Sequence, residues 1–279
     1  GGGGAGCVSE PEAGGGPDPG GMRSRARWGG GWWAPNGGRS GSTNGSIADV
    51  AVVWAKAEGT IRGFLVEKDT PGFTTAYHMG KFSLRASVTS QLFFEDCRIP
   101  AENVLPETNG IKYPLGCLTQ ARYGITWCAL GAAMSVYETA RTYAISRIQF
   151  GGQPIASHQL VQNKLAWMIT EITKGQLLAL QMGRLKDQGK LKPHHVSMGK
   201  MNNVNIALES ARSARDILGP NGLSAESPIV RPMLTPASVQ TYDRTHNIHN
   251  PPITQALPGH PTPNLPTPPP SLRHARRTP

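Results

Sequence analysis

Cysteine, histidine and glycine are the residues here whose spacing first invites a chemical reading, and each is soon limited. Cys7, Cys97, Cys117 and Cys128 form no C-x-x-C pair, which leaves zinc and thioredoxin-type chemistry without support. Four Cys in 279 residues also fall short of a disulfide scaffold, so a reducing compartment is expected. His246 and His249 form an H-x-x-H pair, but a metal site needs a third ligand and none lies near in sequence. Gly1, Gly3 and Gly6 match G-x-G-x-x-G; with no strand pattern before them and no helical pattern after, the match is low complexity. Asp243, between Tyr242 and Arg244, reads by itself as a solvated loop acid. Arg147 closes a helical stretch, where a cation meets the negative end of the helix dipole. Gly219 stands where helices commonly stop.

The elements that must position such residues occupy the middle of the chain. Of 34 Gly, 17 fall in residues 1–46, and of 24 Pro, 10 fall in residues 250–279. Residues 1–46 show no apolar periodicity and are expected to be a Gly-rich disordered segment, because they bury too little to offset the entropy of ordering. A Pro-rich tail, 250–279, cannot run as one continuous helix. The first residue is Gly, no signal peptide pattern is present, and both ends read as sequence foreign to the middle. No apolar run reaches the roughly 18 residues of a membrane span. The net charge is +10, but the longest basic cluster is Arg273, His274, Arg276 and Arg277 at the extreme end. No nucleic acid partner is expected.

Between the ends, Val50, Val52 and Trp54 alternate with Ala51, Val53 and Ala55, the period of a strand. IRGFLVE (61–67) and QLFF (91–94) are further β-rich runs. After Pro114 the period becomes helical: Val161, Leu165, Met168 and Ile172, then Val204, Ala207, Ala211, Ala214 and Leu218, each mark one face of a helix. The spacing predicts helices over 115–148, 157–188 and 194–218, antiparallel neighbours in a bundle. The fold class is thus α+β: a partial β-barrel or sheet (47–112) followed by an antiparallel helical bundle (113–249), with disordered ends.

The middle stretch resembles the acyl-CoA dehydrogenase family, and within it the glutaryl-CoA dehydrogenases. The resemblance is carried by IADVAVVWAKAEGTIRGFLVEK (47–68), KFSLRAS (81–87), IPAENVLP (99–106), ARYGI (121–125), RIQFGGQPIASHQLVQNKLAWMITEIT (147–173), GRLKDQGK (183–190) and ARDILGPNG (214–222), with a shorter echo in TYDRTHNIH (241–249). It implies an FAD-dependent oxidoreductase on an acyl-CoA substrate. In this family a carboxylate removes the proton next to the thioester carbonyl while a hydride leaves the neighbouring carbon for the flavin. The glutaryl-CoA branch then loses CO2 to give crotonyl-CoA. The resemblance further implies electron-transfer flavoprotein as redox partner, a homo-oligomer (a tetramer in the family) and the mitochondrial matrix.

The site residues follow from the same resemblance, position by position. The family's base, a Glu in Tyr-Glu-Gly-Thr, falls on Asp243 beside Tyr242, one methylene shorter and followed by Arg244 instead of Gly. Base and loop acid both stand as readings of Asp243. Arg147, with Gln149 and Phe150, falls on the arginine that reaches the FAD pyrophosphate of a neighbouring subunit; a last-turn helix cation is the alternative. Gly219 and Gly222 fall on a Gly-Gly-x-Gly loop at that same FAD, with Pro220 in place of the second Gly. Thr245 and Asn247 fall on FAD contacts beyond the base; Arg122 falls on the CoA side of the acyl pocket, with a surface helix charge as the alternative, and Tyr242 joins it among the substrate-binding positions. Of the flavin-holding Trp-Ile-Thr, Gly41-Ser42-Thr43 keeps only Thr43. No counterpart of the family's N-terminal helical domain is present. Pro232 and Pro236 interrupt a helical stretch at about 3 kcal/mol each. An N-terminally truncated chain with divergent ends and impaired catalysis is therefore expected. The alternative is a non-catalytic form that at most associates with intact subunits.

Overall fold

The computed structural model describes residues 4–9, 21–243 and 245–257. Eight strands make one curled sheet: β1 (Gly6–Ser9), β2 (Arg25–Trp28), β3 (Trp32–Thr43), β4 (Val50–Ala57), β5 (Thr60–Glu67), β6 (Phe73–Tyr77), β7 (Thr89–Phe94) and β8 (Ile99–Pro100). The alternating stretch seen in the sequence is β4, paired along its whole length with antiparallel β5. On its other edge β4 takes β1 in parallel and then touches β2. β3 continues the sheet between β2 and β7, and β6 closes the far edge. A register shift in the β3–β7 ladder falls between Arg39 and Ser42, a bulge that raises local twist. Trp33, Val53, Phe64, Val66, Leu92 and Ile99 fill one apolar core.

Here the structure departs from the sequence expectation. Within residues 1–46, expected to be a disordered segment, stand β1, β2 and β3, and Cys7, Ala26, Trp33 and Ala34 are buried. Composition is a measure of a segment's own hydrophobicity. It does not register the ladder hydrogen bonds that β4 and β7 supply from outside, nor three Trp at positions 28, 32 and 33 within a Gly-rich stretch.

The helical part follows the expected order. α1 (Lys112–Ser146), α2 (Gln159–Asp187) and α3 (Pro193–Leu218) are joined by short links, and α4 (Val230–Thr241) and α5 (Asn250–Thr254) come after them. The stripe beginning at Val204 is buried throughout. Ala133, Ala140 and Ala144 of α1 and Ala211 and Ala214 of α3 are fully enclosed, and such small residues let two helix axes approach closely. α4 runs through both prolines. Pro232 lies in its first turn, where the missing N–H has no helical partner to lose, whereas Pro236 is interior and buried and gives up a helical N–H donor. Residues 250–254 turn helically at the start of the Pro-rich tail, with Pro in the first turn of α5; residues 258–279 lie outside those described.

Two contacts join sheet and bundle near the site described next. Tyr113, at the start of α1, packs on Trp54 and Ile61, and the hydroxyls of Ser83 and Ser238 share a hydrogen bond. No helix among the described residues is long and apolar enough to cross a membrane. All four cysteines are free thiols. Burial pushes the Cys97 thiol up to about 11 and raises Cys7 also, whereas Cys117 and Cys128 are exposed. Brief alkylation of the folded chain at pH 8 should therefore modify Cys128 well before Cys7 or Cys97; peptide mass mapping checks this, and prompt labelling of Cys97 would contradict the packing.

Candidate functional site

The site is built where α4 ends. After Thr241 the chain turns extended at Tyr242, with φ −72° and ψ 161°, and then left-handed at Asp243, φ 51°. A non-glycine residue there costs energy, though Asp bears it better than most. Two cations hold the turn. Arg122 of α1, 5% exposed, donates through Nε to the Asp243 carbonyl at 2.7 Å. Lys200 of α3, 1% exposed, donates through Nζ to the Tyr242 carbonyl, and its ammonium lies 5.7 Å from the centre of the Tyr242 ring. Residues 78, 121 and 42 positions apart in sequence thus converge because α1 and α3 are neighbours and α4 packs on both.

The electrostatics follow from burial. Asp243 is half-buried, and desolvation raises its carboxyl above the usual carboxylate value, with Lys200 and Arg122 pulling the other way. Burial lowers Lys200 to about 8; the Asp243 carboxylate opposes that shift and Arg122 adds to it. The Tyr242 phenol is raised, by burial first, then by Asp243 and Cys128. A carboxylate with raised proton affinity, fixed on an anchored turn, is the arrangement a general base requires.

The remaining candidates gather elsewhere. Arg147 caps α1, its N–H bonded to the Tyr143 carbonyl at 2.9 Å. Gln149 lies in a short hairpin of two-residue strands, β9 (Ile148–Gln149) and β10 (Gln153–Pro154). Phe150 is 82% exposed. Asn221, in the turn Gly219–Leu223, donates to the Tyr143 hydroxyl at 3.0 Å, so the Arg147 and Gly219–Gly222 segments share one end of the bundle. From Arg122 to Arg147 the chain climbs α1 by about 37 Å at 1.5 Å per residue. One chain therefore does not bring Arg147 to Asp243. A shallow groove of about 470 Å³, lined by Glu138, Thr139, Thr142, Tyr143 and Ser146, runs along α1 on the Arg147 side.

The donors at that end fit an anionic group. Arg147 and Gln149 are exposed, and no ion-pair partner for Arg147 occurs among the described residues. Gly219, at φ 57°, has open space where a Cβ would stand, leaving its backbone approachable. Gly222 has a packing reason of its own, since a Cβ there would meet the Arg215 carbonyl oxygen at 2.6 Å. Thr245 precedes the turn His246–His249 and Asn247 lies within it, both exposed. Thr43 ends β3 opposite Thr89, also exposed, while Gly41 leaves open space at φ 82° where the resemblance expects an aromatic ring. Exposed polar groups thus stand at the positions where the resemblance expects FAD contacts, while position 41 offers no ring.

Lys200 escaped the sequence reading. Its signal was available: the buried stripe of α3 extends back from Val204 through Lys200 to Val196 in steps of four. A lysine in register with a core stripe must find its own partners.

Comparison with known proteins gives two family profiles that match consecutive parts of the chain. "Acyl-CoA dehydrogenase, middle domain" matches residues 5–97, and "Acyl-CoA dehydrogenase, C-terminal domain" matches residues 108–257. Human short-chain specific acyl-CoA dehydrogenase, mitochondrial, is 34% identical over 249 residues, 87% of this chain and 60% of that protein. A crystal structure of glutaryl-CoA dehydrogenase from Mycobacterium smegmatis superposes with a TM-score of 0.89 at 49% identity, over 91% of this chain and 66% of that one. A second, of a glutaryl-CoA dehydrogenase from the same organism in complex with FADH2, gives 0.89 at 45% identity over 92% and 66%. The chain therefore spans about 60% of the length of its human relative.

Proposed function

Since the chain belongs to the acyl-CoA dehydrogenase family, we propose that it forms the β and helical parts of an FAD-dependent dehydrogenase in which Asp243 is the general base. The observation that carries the reading is the Asp243 turn, clamped by Arg122 and Lys200 between α1 and α3. The carboxylate takes the proton from the carbon beside the thioester carbonyl. Burial supplies the raised proton affinity this needs. The anchored turn supplies orientation, for which a displacement of about 1 Å costs on the order of 100-fold in rate. Asp is one methylene shorter than the family's Glu, so turnover is slow. Arg122 enters this reading as a residue that holds the base loop, its Nε being engaged there.

Thr43, Thr245 and Asn247 are the residues of this chain that would hold its own FAD. Arg147, Gln149, Phe150, Gly219 and Gly222 would reach the FAD of a second copy, which the length of α1 between Arg122 and Arg147 supports. When bound, FAD supplies the hydride acceptor. Glutaryl-CoA, oxidised and decarboxylated to crotonyl-CoA, is the substrate that the likeness to the two Mycobacterium smegmatis enzymes favours. Electron-transfer flavoprotein is the redox partner in this reading, and the mitochondrial matrix the setting; the human relative's name places that protein in the mitochondrion.

The test is to purify the full chain with added FAD, then compare turnover of glutaryl-CoA and butyryl-CoA with an artificial electron acceptor. Retained yellow absorbance with faster reduction by glutaryl-CoA is expected. A colourless protein that takes up no FAD would sink the reading and leave a non-catalytic chain.

A further inference from the structure

A lysine in the centre of a helical bundle, 1% exposed, needs a reason to be there, because Lys is almost never enclosed unless paired. Its surroundings are specific. On α3, Lys200 is flanked one turn away by Val196 and Val204, both buried. Across from it stand the end of α4 and the Tyr242–Asp243 turn. Its ammonium donates to the Tyr242 carbonyl while the Arg122 guanidinium donates to the next carbonyl, that of Asp243. Two buried cations on two successive peptide units fix the backbone on both sides of the Asp243 Cα, which sits in the left-handed region. We infer that Lys200 is a positioning residue: with Arg122 it pins the Tyr242–Asp243 turn and sets its ammonium against the peptide unit that carries Asp243. This deepens the base assignment given above and rests on it.

Other groups near the turn leave Lys200 as the one suited to this role. Arg122, from α1, carries a guanidinium that stays protonated throughout the working range. Tyr242 has its phenol raised further, and Cys128 of α1 is an exposed thiol that acts on Tyr242. His249 is buried in the turn Thr245–Asn250, which packs on α3; Arg244 lies outside the described residues. Lys200, lowered to about 8 by burial, is a titrating cation whose charge acts directly on Asp243. Loss of its proton leaves an amine that still donates a hydrogen bond but no longer opposes the rise in Asp243's proton affinity. Signs follow from that: with the ammonium present the carboxyl is held lower, and without it the carboxyl moves up.

The experiment is a titration of the full-length protein labelled with 13C-carboxyl aspartate, with Asp243→Asn used to identify the resonance. In wild type the Asp243 signal should titrate above the ordinary carboxylate value and show a second, smaller inflection near pH 8 as Lys200 loses its proton. Lys200→Arg keeps a cation that does not titrate; it should fold, keep the carboxyl near its wild-type value and abolish the second inflection. Lys200→Met should raise the carboxyl further and lower kcat on the order of 10-fold with KM changed less than about threefold, and Lys200→Arg should recover most of that loss. An inflection near pH 8 that persists in Lys200→Arg overturns the inference, even if Lys200→Met does not fold. So does a carboxyl titration identical in wild type and Lys200→Met. Failure of the base assignment shows differently: Asp243→Asn would then turn over like wild type, while the carboxyl titration still reports whether Lys200 acts on Asp243.

Discussion

Asp243→Asn is expected to lower turnover of an acyl-CoA thioester by about 10²–10⁴-fold, the usual worth of a positioned general base, while FAD retention stays at the wild-type level. Asn is nearly the same size and tolerates φ 51° at least as well as Asp. The anchors on the Tyr242 and Asp243 carbonyls involve no side-chain atom of residue 243 and survive the change. The variant removes the capacity to take a proton, together with the negative charge that opposes the lowering of Lys200. Linkage gives it a second signature. The folded-state carboxyl is raised, so its contribution to stability is present in acid and lost as pH rises through the folded value. At neutral pH the native state carries a half-buried carboxylate at a cost, and Asn removes that cost. Asp243→Asn should therefore melt at an equal or higher temperature than wild type at pH 7, the exchange of stability for function seen at many active sites. In wild type, kcat/KM should rise with pH through a limb lying above the ordinary carboxylate range, and that limb should be missing from the residual activity of the variant. Full activity in Asp243→Asn would remove Asp243 from the chemistry.

How much of this was legible in the sequence depends on whether the signal was periodic. The stripe from Val204 to Leu218 predicts a buried helix face, and it is one, because each member makes the same statement about the same surface. β4 was legible for the same reason. β2 and β3 were not: in WWAPNGGRSGST the strand is held by neighbours 50 residues away in β7, and its Gly and Pro content speaks against it locally. The candidate base was visible only through resemblance, since a lone Asp in a loop carries no chemical signal. Its environment was beyond reach. Arg122 and Asp243 are 121 positions apart, and nothing in either segment states that α1 and α4 will meet. Arg122, read alone as a surface charge, is buried for that reason. Lys200 stood on a legible stripe, and extending the apolar pattern backwards past Val204 would have exposed it as the exception.

Asn203 is another polar residue buried on α3, and its replacement carries the largest expected effect on stability. It is fully buried and lies one turn from Lys200. Its amide donates to the Thr126 carbonyl of α1 at 3.0 Å and to the Gly175 carbonyl of α2 at 3.3 Å, while its oxygen accepts from Asn202 at 2.9 Å. One side chain of α3 thus ties the three long helices together. The approach is close enough that a Cβ on Gly175 would come within 2.9 Å of the Asn203 oxygen and 2.7 Å of Leu130. Asn203→Asp keeps the shape but replaces both donors with acceptors, facing a carboxylate toward two carbonyls in a dry site. The cost should be about 3 kcal/mol or more, against a total stability of roughly 5–15 kcal/mol for a typical domain. Asn203→Leu discards the polar group altogether and should cost less, since an apolar side chain of similar volume leaves no buried donor or charge unmatched. The ordering Asp worse than Leu is what identifies a hydrogen-bonding role as opposed to a packing one. A carboxyl introduced here is raised in the folded state, so its penalty is relieved as pH falls below that folded value and is fully felt above it. Urea unfolding at pH 5 and pH 8 should accordingly show a smaller deficit for Asn203→Asp at the lower pH and none of that dependence for Asn203→Leu. Equal deficits for the two variants at both values would mean that the three helices are held by apolar contact alone.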